Sequence, residues 1–120
     1  MASHATDRLS EAERRRDAGD LLGALIAIGH LIELAPGDHT PYFVRALIHE
    51  ELGDVRGAVA DYSTFIDEHP LGPTARRTLA SAYLVRGTLR LYTLGDAEGL
   101  ADLHQAVALR DASATEHRAA

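Results

Sequence analysis

The chain has no cysteine, no lysine, no tryptophan and no asparagine. The lack of cysteine excludes disulfides, thiolate metal sites and a cysteine nucleophile. No apolar run approaches the roughly 20 residues that a membrane-spanning helix needs, so we expect no membrane segment. All twelve basic residues are arginine, and 18 acidic residues outnumber them to give a net charge of −6. This balance argues against binding to nucleic acid or to an anionic membrane surface.

The residues that are abundant favour helices. Alanine and leucine dominate, whereas there are only two Phe and four Tyr among 120 residues. Alanine and leucine are strong helix formers, while strands prefer β-branched and aromatic residues. The composition therefore predicts one all-helical domain. The first ten residues are polar and lack a signal-peptide core, so we expect a cytoplasmic protein.

Four residues recur in the same order at a constant spacing of 34. The first set is Gly19, Asp20, Ala24 and Pro36, and the second is Gly53, Asp54, Ala58 and Pro70. A period of 34 is the length of a helix–turn–helix repeat. Such a repeat buries its apolar face by stacking on its neighbours, and the stack presents a groove to a partner. The repeat therefore predicts a binding function without naming the partner.

Helix breakers and capping residues predict six helices. Their approximate ranges are 6–17, 20–34, 40–52, 54–68, 74–94 and 96–109. Asp20 and Asp54 follow glycines and are the expected N-caps of the second and fourth helices. Residues 113–120 are small and polar, and we expect them to form a loose tail.

The third repeat is irregular. Ala80 and Gly87 keep the phase of the first two repeats, with Gly87 aligned with Gly53, but Leu94-Gly95-Asp96 follows Leu52-Gly53-Asp54 at a spacing of 42. The eight extra residues equal about two helical turns, so we expect an extended fifth helix.

The extension has an apolar side that forms a candidate oligomer interface, which consists of Leu89, Leu91, Tyr92 and Leu94. Exposed apolar patches on proteins often mark an interface, and a homodimer would cover this one. Alternatively, the last helix of the same chain covers these side chains.

The second repeat resembles the tetratricopeptide repeat family. Residues 39–72 supply large, small, Gly and Pro residues at the family's positions, namely Tyr42, Ala46, Gly53, Ala58, Tyr62 and Pro70. His49 and Phe65 depart from the pattern. The resemblance implies an all-α helix–turn–helix repeat solenoid over residues 1–112, with repeats at about 5–38, 39–72 and 73–112 and about six antiparallel helices. A helical bundle without repeats is the alternative fold.

In this family the first helix of each repeat lines a concave groove that binds a protein or peptide. Carried over to this chain, the groove residues are Phe43, Leu47 and Glu50 in the second repeat and Arg77, Ser81 and Leu84 in the third. Family members that grip a terminal carboxylate use basic and amide side chains. Here Arg77 and its neighbour Arg76 are the only candidates, and asparagine is absent, so the groove suits an apolar or amphipathic segment better.

Catalytic and metal-binding motifs are incomplete. His49-Glu50 begins a zinc-protease helix motif, but Gly53 occupies the position of the second histidine. His30 and Glu33 are one turn apart, a pairing that is more often a surface contact than a metal site. The sequence has no phosphate-binding glycine loop and no serine in a nucleophile-elbow setting. We therefore expect no cofactor, no metal and no catalysis, with a small enzyme or metal protein as the weaker alternative to a non-catalytic adaptor.

Overall fold

The structure is a computed structural model that describes residues 2–68 and 72–119, and these residues are helical with short connections. The α-helices are α1 (Ala2–Asp17), α2 (Leu21–Leu34), α3 (Thr40–Glu51), α4 (Val55–Asp67), α5 (Pro73–Thr88) and α6 (Gly99–Ala119). A π-helical stretch, Leu89–Thr93, follows α5 without a break and is called the π segment below. The prediction of an all-α protein is confirmed for the described residues. Pro70, one of the recurring residues, lies outside them.

Helices α2 and α4 begin with the same capping interaction. The backbone N–H of Gly23 donates to Asp20 Oδ1 at 3.0 Å, and that of Gly57 donates to Asp54 Oδ1 at 2.9 Å. Each carboxylate thereby satisfies one of the donors that a helix leaves unpaired in its first turn. Both predicted N-caps are confirmed.

Helices α1 and α3 also end alike. Gly19 and Gly53 have φ values of +86° and +80°, a left-handed conformation that favours glycine at the end of a helix. In both cases the N–H of the next residue donates to the carbonyl five residues before it. These pairs are Asp20 with Arg15 and Asp54 with His49, each at 2.8 Å.

The chain divides into two compact units at the Asp61–Tyr62 bond, within α4. The core of the first unit comes from α1, α2 and α3. Its buried members are Ala12, Ala24, Ile28, Leu31, Val44 and Ile48.

In the second unit α5 and the π segment pack against α6. The helix backbones approach closely where Gly87 and Gly99 meet. A Cβ atom on Gly87 would lie 2.7 Å from the carbonyl oxygen of Gly99, and a Cβ on Gly99 would lie 2.5 Å from that of Gly87. Neither position has room for a side chain, so this approach depends on glycine at both.

The predicted extension of the fifth helix is confirmed, because helical structure runs without interruption from Pro73 to Thr93. The last helix differs from the expectation. It begins at Gly99 and continues to Ala119, so the described part of the predicted loose tail is helical. The sequence after Gly99 contains neither glycine nor proline and is rich in alanine, so no residue there favours helix termination.

None of the helices among the described residues combines the length and the apolar character that crossing a membrane requires.

Candidate interaction surface

A buried carboxylate joins α3 to α4 in the first unit. Asp61, which is 4% exposed, accepts two hydrogen bonds from Arg45, from Nε at 2.7 Å and from Nη2 at 2.8 Å. Such bidentate, charge-assisted pairs are among the strongest polar contacts in proteins. The hydrogen bonds to Asp61 raise the pKa of Arg45 above its usual value, so this guanidinium remains charged.

The second unit contains the same arrangement between α5 and α6. Asp102, also 4% exposed, accepts from Arg86 Nε at 3.0 Å and from Nη2 at 2.7 Å. A second arginine, Arg90, donates to Asp102 Oδ2 at 3.1 Å. Arg86 also donates to Ser63 Oγ at 3.0 Å, which ties α4 to this cluster.

Both bidentate arginines lie over an aromatic ring three residues before them. The Arg45 guanidinium is 5.7 Å from the centre of the Tyr42 ring, and that of Arg86 is 5.4 Å from the Tyr83 ring. The second tyrosine–arginine pair follows the first at a spacing of 41, and the two buried aspartates are separated by the same spacing. The side-chain contacts therefore align α5 with α3 at a spacing of 41.

This spacing changes how the irregular third repeat aligns. Gly87 corresponds to the buried Ala46 and not, as the 34-residue period predicts, to Gly53. At this spacing, seven of the eight extra residues of the third repeat lie before Tyr83, toward the start of α5. One more lies near its end, because the spacing from Gly53 to Gly95 is 42, and the π segment is where a helix accommodates a single inserted residue.

The predicted groove residues of the first unit are Phe43, Leu47 and Glu50. All three lie on α3 and are half-buried. They therefore offer only part of their side chains to a partner.

The predicted groove residues of the second unit lie on an exposed stripe. The exposed stripe consists of Arg77, Ser81, Leu84, Thr88 and Tyr92, all of which are exposed. Spacings of three and four residues place these side chains on one face of α5 and the π segment. Leu84 is 45% exposed and Tyr92 is 76% exposed. The stripe thus joins three predicted groove residues to one predicted oligomer residue.

The other predicted oligomer residues are partly covered. Leu89, Leu91 and Leu94 are half-buried. The backbone and Cβ of Leu91 lie against Gly99 at the start of α6, in keeping with the alternative that the last helix covers this stretch. Tyr92 is the member of the predicted patch that is fully available at the surface.

The charge of α5 and the π segment differs from that of the whole chain. Residues 73–93 contain four arginines and no acidic residue, although the chain has a net charge of −6. Asp102 pairs with two of these arginines, Arg86 and Arg90. Arg77 adds a positive charge at one end of the exposed stripe, and no residue of the stripe is acidic.

A small cavity between α1 and α2 was not anticipated from the sequence. Its volume is about 260 Å³, and it is lined by Arg8, Glu11, Arg15, Gly23, Ile26, Ala27 and His30. Arg15 donates to both Glu11 and Asp20, and these hydrogen bonds raise its pKa. Two of the charged lining residues, Glu11 and Arg15, therefore pair with each other.

Within residues 2–68 and 72–119, no group of three or more His, Asp or Glu side chains is arranged to hold a metal ion. Comparison of the chain with protein-family models and with curated proteins gave no match.

Proposed function

We propose that this protein is a non-catalytic adaptor of the helix–turn–helix repeat type that binds a protein segment on the exposed stripe of α5 and the π segment. The observation that carries the proposal is the exposure of Tyr92, 76%, on the same face as Leu84. Large apolar and aromatic side chains held in the open by a helical scaffold are typical of binding surfaces.

The repeat character of the chain supports this class of function. The caps at Asp20 and Asp54 recur at a spacing of 34, and the ion pairs of Asp61 and Asp102 recur at a spacing of 41. Recurring caps and recurring buried pairs favour related helical hairpins over an irregular bundle. Stacked hairpins of this kind commonly present helix faces to a partner.

The chemistry of the stripe suits an amphipathic helical partner with an acidic residue. Leu84 and Tyr92 are eight residues apart, about 12 Å along a helix, so apolar partner residues seven or eight positions apart can contact both. Arg77 lies seven residues before Leu84, about 10 Å away, and pairs with a carboxylate on the partner. Helix-on-helix recognition uses such spaced apolar anchors.

A display library of helical peptides, selected against the whole chain, tests the proposal. We expect selected peptides to lose at least about tenfold in affinity, roughly 1.4 kcal/mol, when Tyr92 or Leu84 is changed to alanine. The matched control is Leu22→Ala, since Leu22 is 66% exposed on α2 and lies outside the stripe. Peptides that bind the Tyr92 and Leu84 variants as well as they bind the wild type would contradict the assignment.

Self-association through the same stripe is the second candidate, because Tyr92 is also the exposed member of the predicted oligomer patch. Light scattering over a concentration series distinguishes the two. A dimer that Tyr92→Glu converts to a monomer supports self-association, whereas a wild-type monomer at all concentrations leaves the stripe to a different protein.

A further inference from the structure

We call three pairs of successive helices hairpins: α1 with α2, α3 with α4, and α5 with its π segment and α6. One position near the end of the first helix has an arginine or a histidine in all three hairpins. Its members are Arg15 at the end of α1, His49 at the end of α3 and Arg90 in the π segment. In each case the backbone carbonyl of this residue accepts an N–H from the aspartate after the turn, at 2.8, 2.8 and 2.6 Å, in the pairs Arg15–Asp20, His49–Asp54 and Arg90–Asp96. The first two pairs span five residues and the third spans six, because the π segment contains one more residue. The spacings of 34 and 41 identify Arg15 and Arg90 as the counterparts of His49.

The two arginines each pair with a carboxylate. Arg15 Nη1 donates to Oδ2 of Asp20, the N-cap of α2, at 3.1 Å. Arg90 Nη1 donates to Oδ2 of Asp102, the buried carboxylate of α6, also at 3.1 Å. A guanidinium is charged at every accessible pH, so neither contact depends on the arginine gaining a proton.

His49 faces both kinds of carboxylate at once. Its Nδ1 lies 3.2 Å from Oδ2 of Asp54, the N-cap of α4, and its Nε2 lies 3.4 Å from Oδ2 of Asp61. The His49 side chain is 18% exposed. From its position on α3, the ring therefore lies within ion-pair distance of both the N-cap and the second turn of α4.

A neutral imidazole has one N–H and cannot donate to two carboxylates. With a single proton, one ring nitrogen presents its lone pair to a carboxylate oxygen, which is unfavourable. The imidazolium donates from both nitrogens, and histidine is the side chain that gains this second proton between about pH 5 and 8. We propose that His49 is a proton-dependent clamp on the α3–α4 turn, at a position where the other two hairpins have a permanent arginine.

Other ion pairs near His49 do not depend on its charge, so loss of its proton affects only the α3–α4 turn. Arg45, one turn earlier on α3, makes its own bidentate pair with Asp61, and its guanidinium does not depend on a proton gained by His49. Glu51, two residues later, is paired with Arg16 of α1 at 2.6 Å. Loss of the proton therefore removes one link across the α3–α4 turn and leaves the rest of the first unit joined.

Backbone amide hydrogen exchange of residues 54–58 measures the clamp directly. Comparing variants at the same pH removes the intrinsic pH dependence of exchange. We expect His49→Arg to match the wild type at about pH 5.5 and to be protected about 3- to 10-fold more at about pH 8, the effect of one hydrogen bond. His49→Gln should be less protected than the wild type at about pH 5.5 and similar to it at about pH 8.

The control is His104→Gln, which alters an exposed histidine on α6 and should leave the exchange of residues 54–58 unchanged at both pH values. The proposal is overturned if the ratio between His49→Arg and the wild type is the same at both pH values. If His49→Arg disrupts the fold, the wild type and His49→Gln alone decide the question, since equal protection at about pH 5.5 also overturns it.

Discussion

Arg86 is more deeply buried in its ion pair with Asp102 than Arg45 is in the equivalent pair with Asp61. The Arg86 side chain is 11% exposed and that of Arg45 is 28% exposed, while the side chains of both aspartates are 6% exposed. Removing one partner of a buried pair leaves a charge without compensation, which costs more than the intact pair contributes. The two hairpins should therefore respond differently to the same substitution.

Asp102→Asn should destabilise the protein by about 3 kcal/mol or more, because it leaves Arg86 and Arg90 without their shared carboxylate. Asp61→Asn should cost less, about 1–2 kcal/mol, because Arg45 can turn toward solvent. Urea unfolding followed by circular dichroism measures both changes. An equal cost for the two variants would show that the difference in burial of the arginines has no energetic effect.

The pair Arg86–Asp102 should also show strong coupling. Replacing both residues with apolar side chains of similar size, as in Arg86→Met with Asp102→Leu, should recover most of the stability lost in either single variant, since paired charges in the interior are often no better than good packing. Arg90 is a complication, as it also donates to Asp102, so the cycle is best measured in a background that has Arg90→Met. Additive losses would argue against the coupling.

The close approach of the helix backbones at Gly87 and Gly99 predicts that a side chain at either position lowers stability. Gly99→Ala should destabilise the second unit by about 1–3 kcal/mol, because the new methyl group meets the Gly87 carbonyl and the backbone of Leu91. Gly29→Ala is the control, since nothing lies within 4 Å of a Cβ there. That change should stabilise α2 by about 0.5–1 kcal/mol through helix propensity. Thermal unfolding shows whether each variant is more or less stable than the wild type. Stabilisation by Gly99→Ala would contradict the close approach of the two helices.

The features that sequence analysis predicted correctly depend on local chemistry. The N-caps at Asp20 and Asp54 require only an aspartate after a glycine at the start of a helical pattern. The continuation of the fifth helix followed from an eight-residue excess, which preserves the helical face. The first inference uses residues that are adjacent in the sequence, whereas the second compares the local turn chemistry of two Leu-Gly-Asp segments that are 42 residues apart.

The features that it missed depend on contacts between helices. Arg86 and Asp102 are 16 residues apart, and the pair becomes visible only when α5 is aligned with α3 at a spacing of 41. Gly87 follows Gly53 by 34 residues, the period of the first two repeats, so the 41-residue spacing between α3 and α5 was not recognised. The recurrence of Tyr-x-Val-Arg, at Tyr42 and at Tyr83, was the available signal. The helical tail was missed because small polar residues do not end a helix without a glycine or proline.

Two neighbouring residues of the π segment should behave in opposite ways. Leu91→Ala should cost about 1–3 kcal/mol, because Leu91 packs against the start of α6. Tyr92→Ala should change stability by less than about 0.5 kcal/mol, since the ring is 76% exposed. Chemical unfolding distinguishes them. A large loss for Tyr92→Ala would mean that its ring is buried, for instance by a second copy of the chain, and the loss would then depend on protein concentration.

Substitutions of Asp20 and Asp54, which cap α2 and α4, should separate the effect of the capping hydrogen bond on stability from the effect of the negative charge. Asp20→Ala and Asp54→Ala should each cost about 1 kcal/mol, because either change removes the acceptor for a first-turn N–H. Asparagine retains the capping oxygen, so Asp20→Asn should lose only an exposed contact with Arg15, worth less than about 0.5 kcal/mol at any pH.

Asp54→Asn should differ from Asp20→Asn in its dependence on pH. The proposed clamp predicts that this variant resembles the wild type near about pH 8 and is less stable near about pH 5.5, because the clamp then has one carboxylate partner instead of two. Unfolding of the four variants at both pH values gives the comparison. If Asp54→Asn lowers the free energy of unfolding equally at both pH values, Asp54 acts only as the N-cap of α4. His49 would then act through Asp61 only.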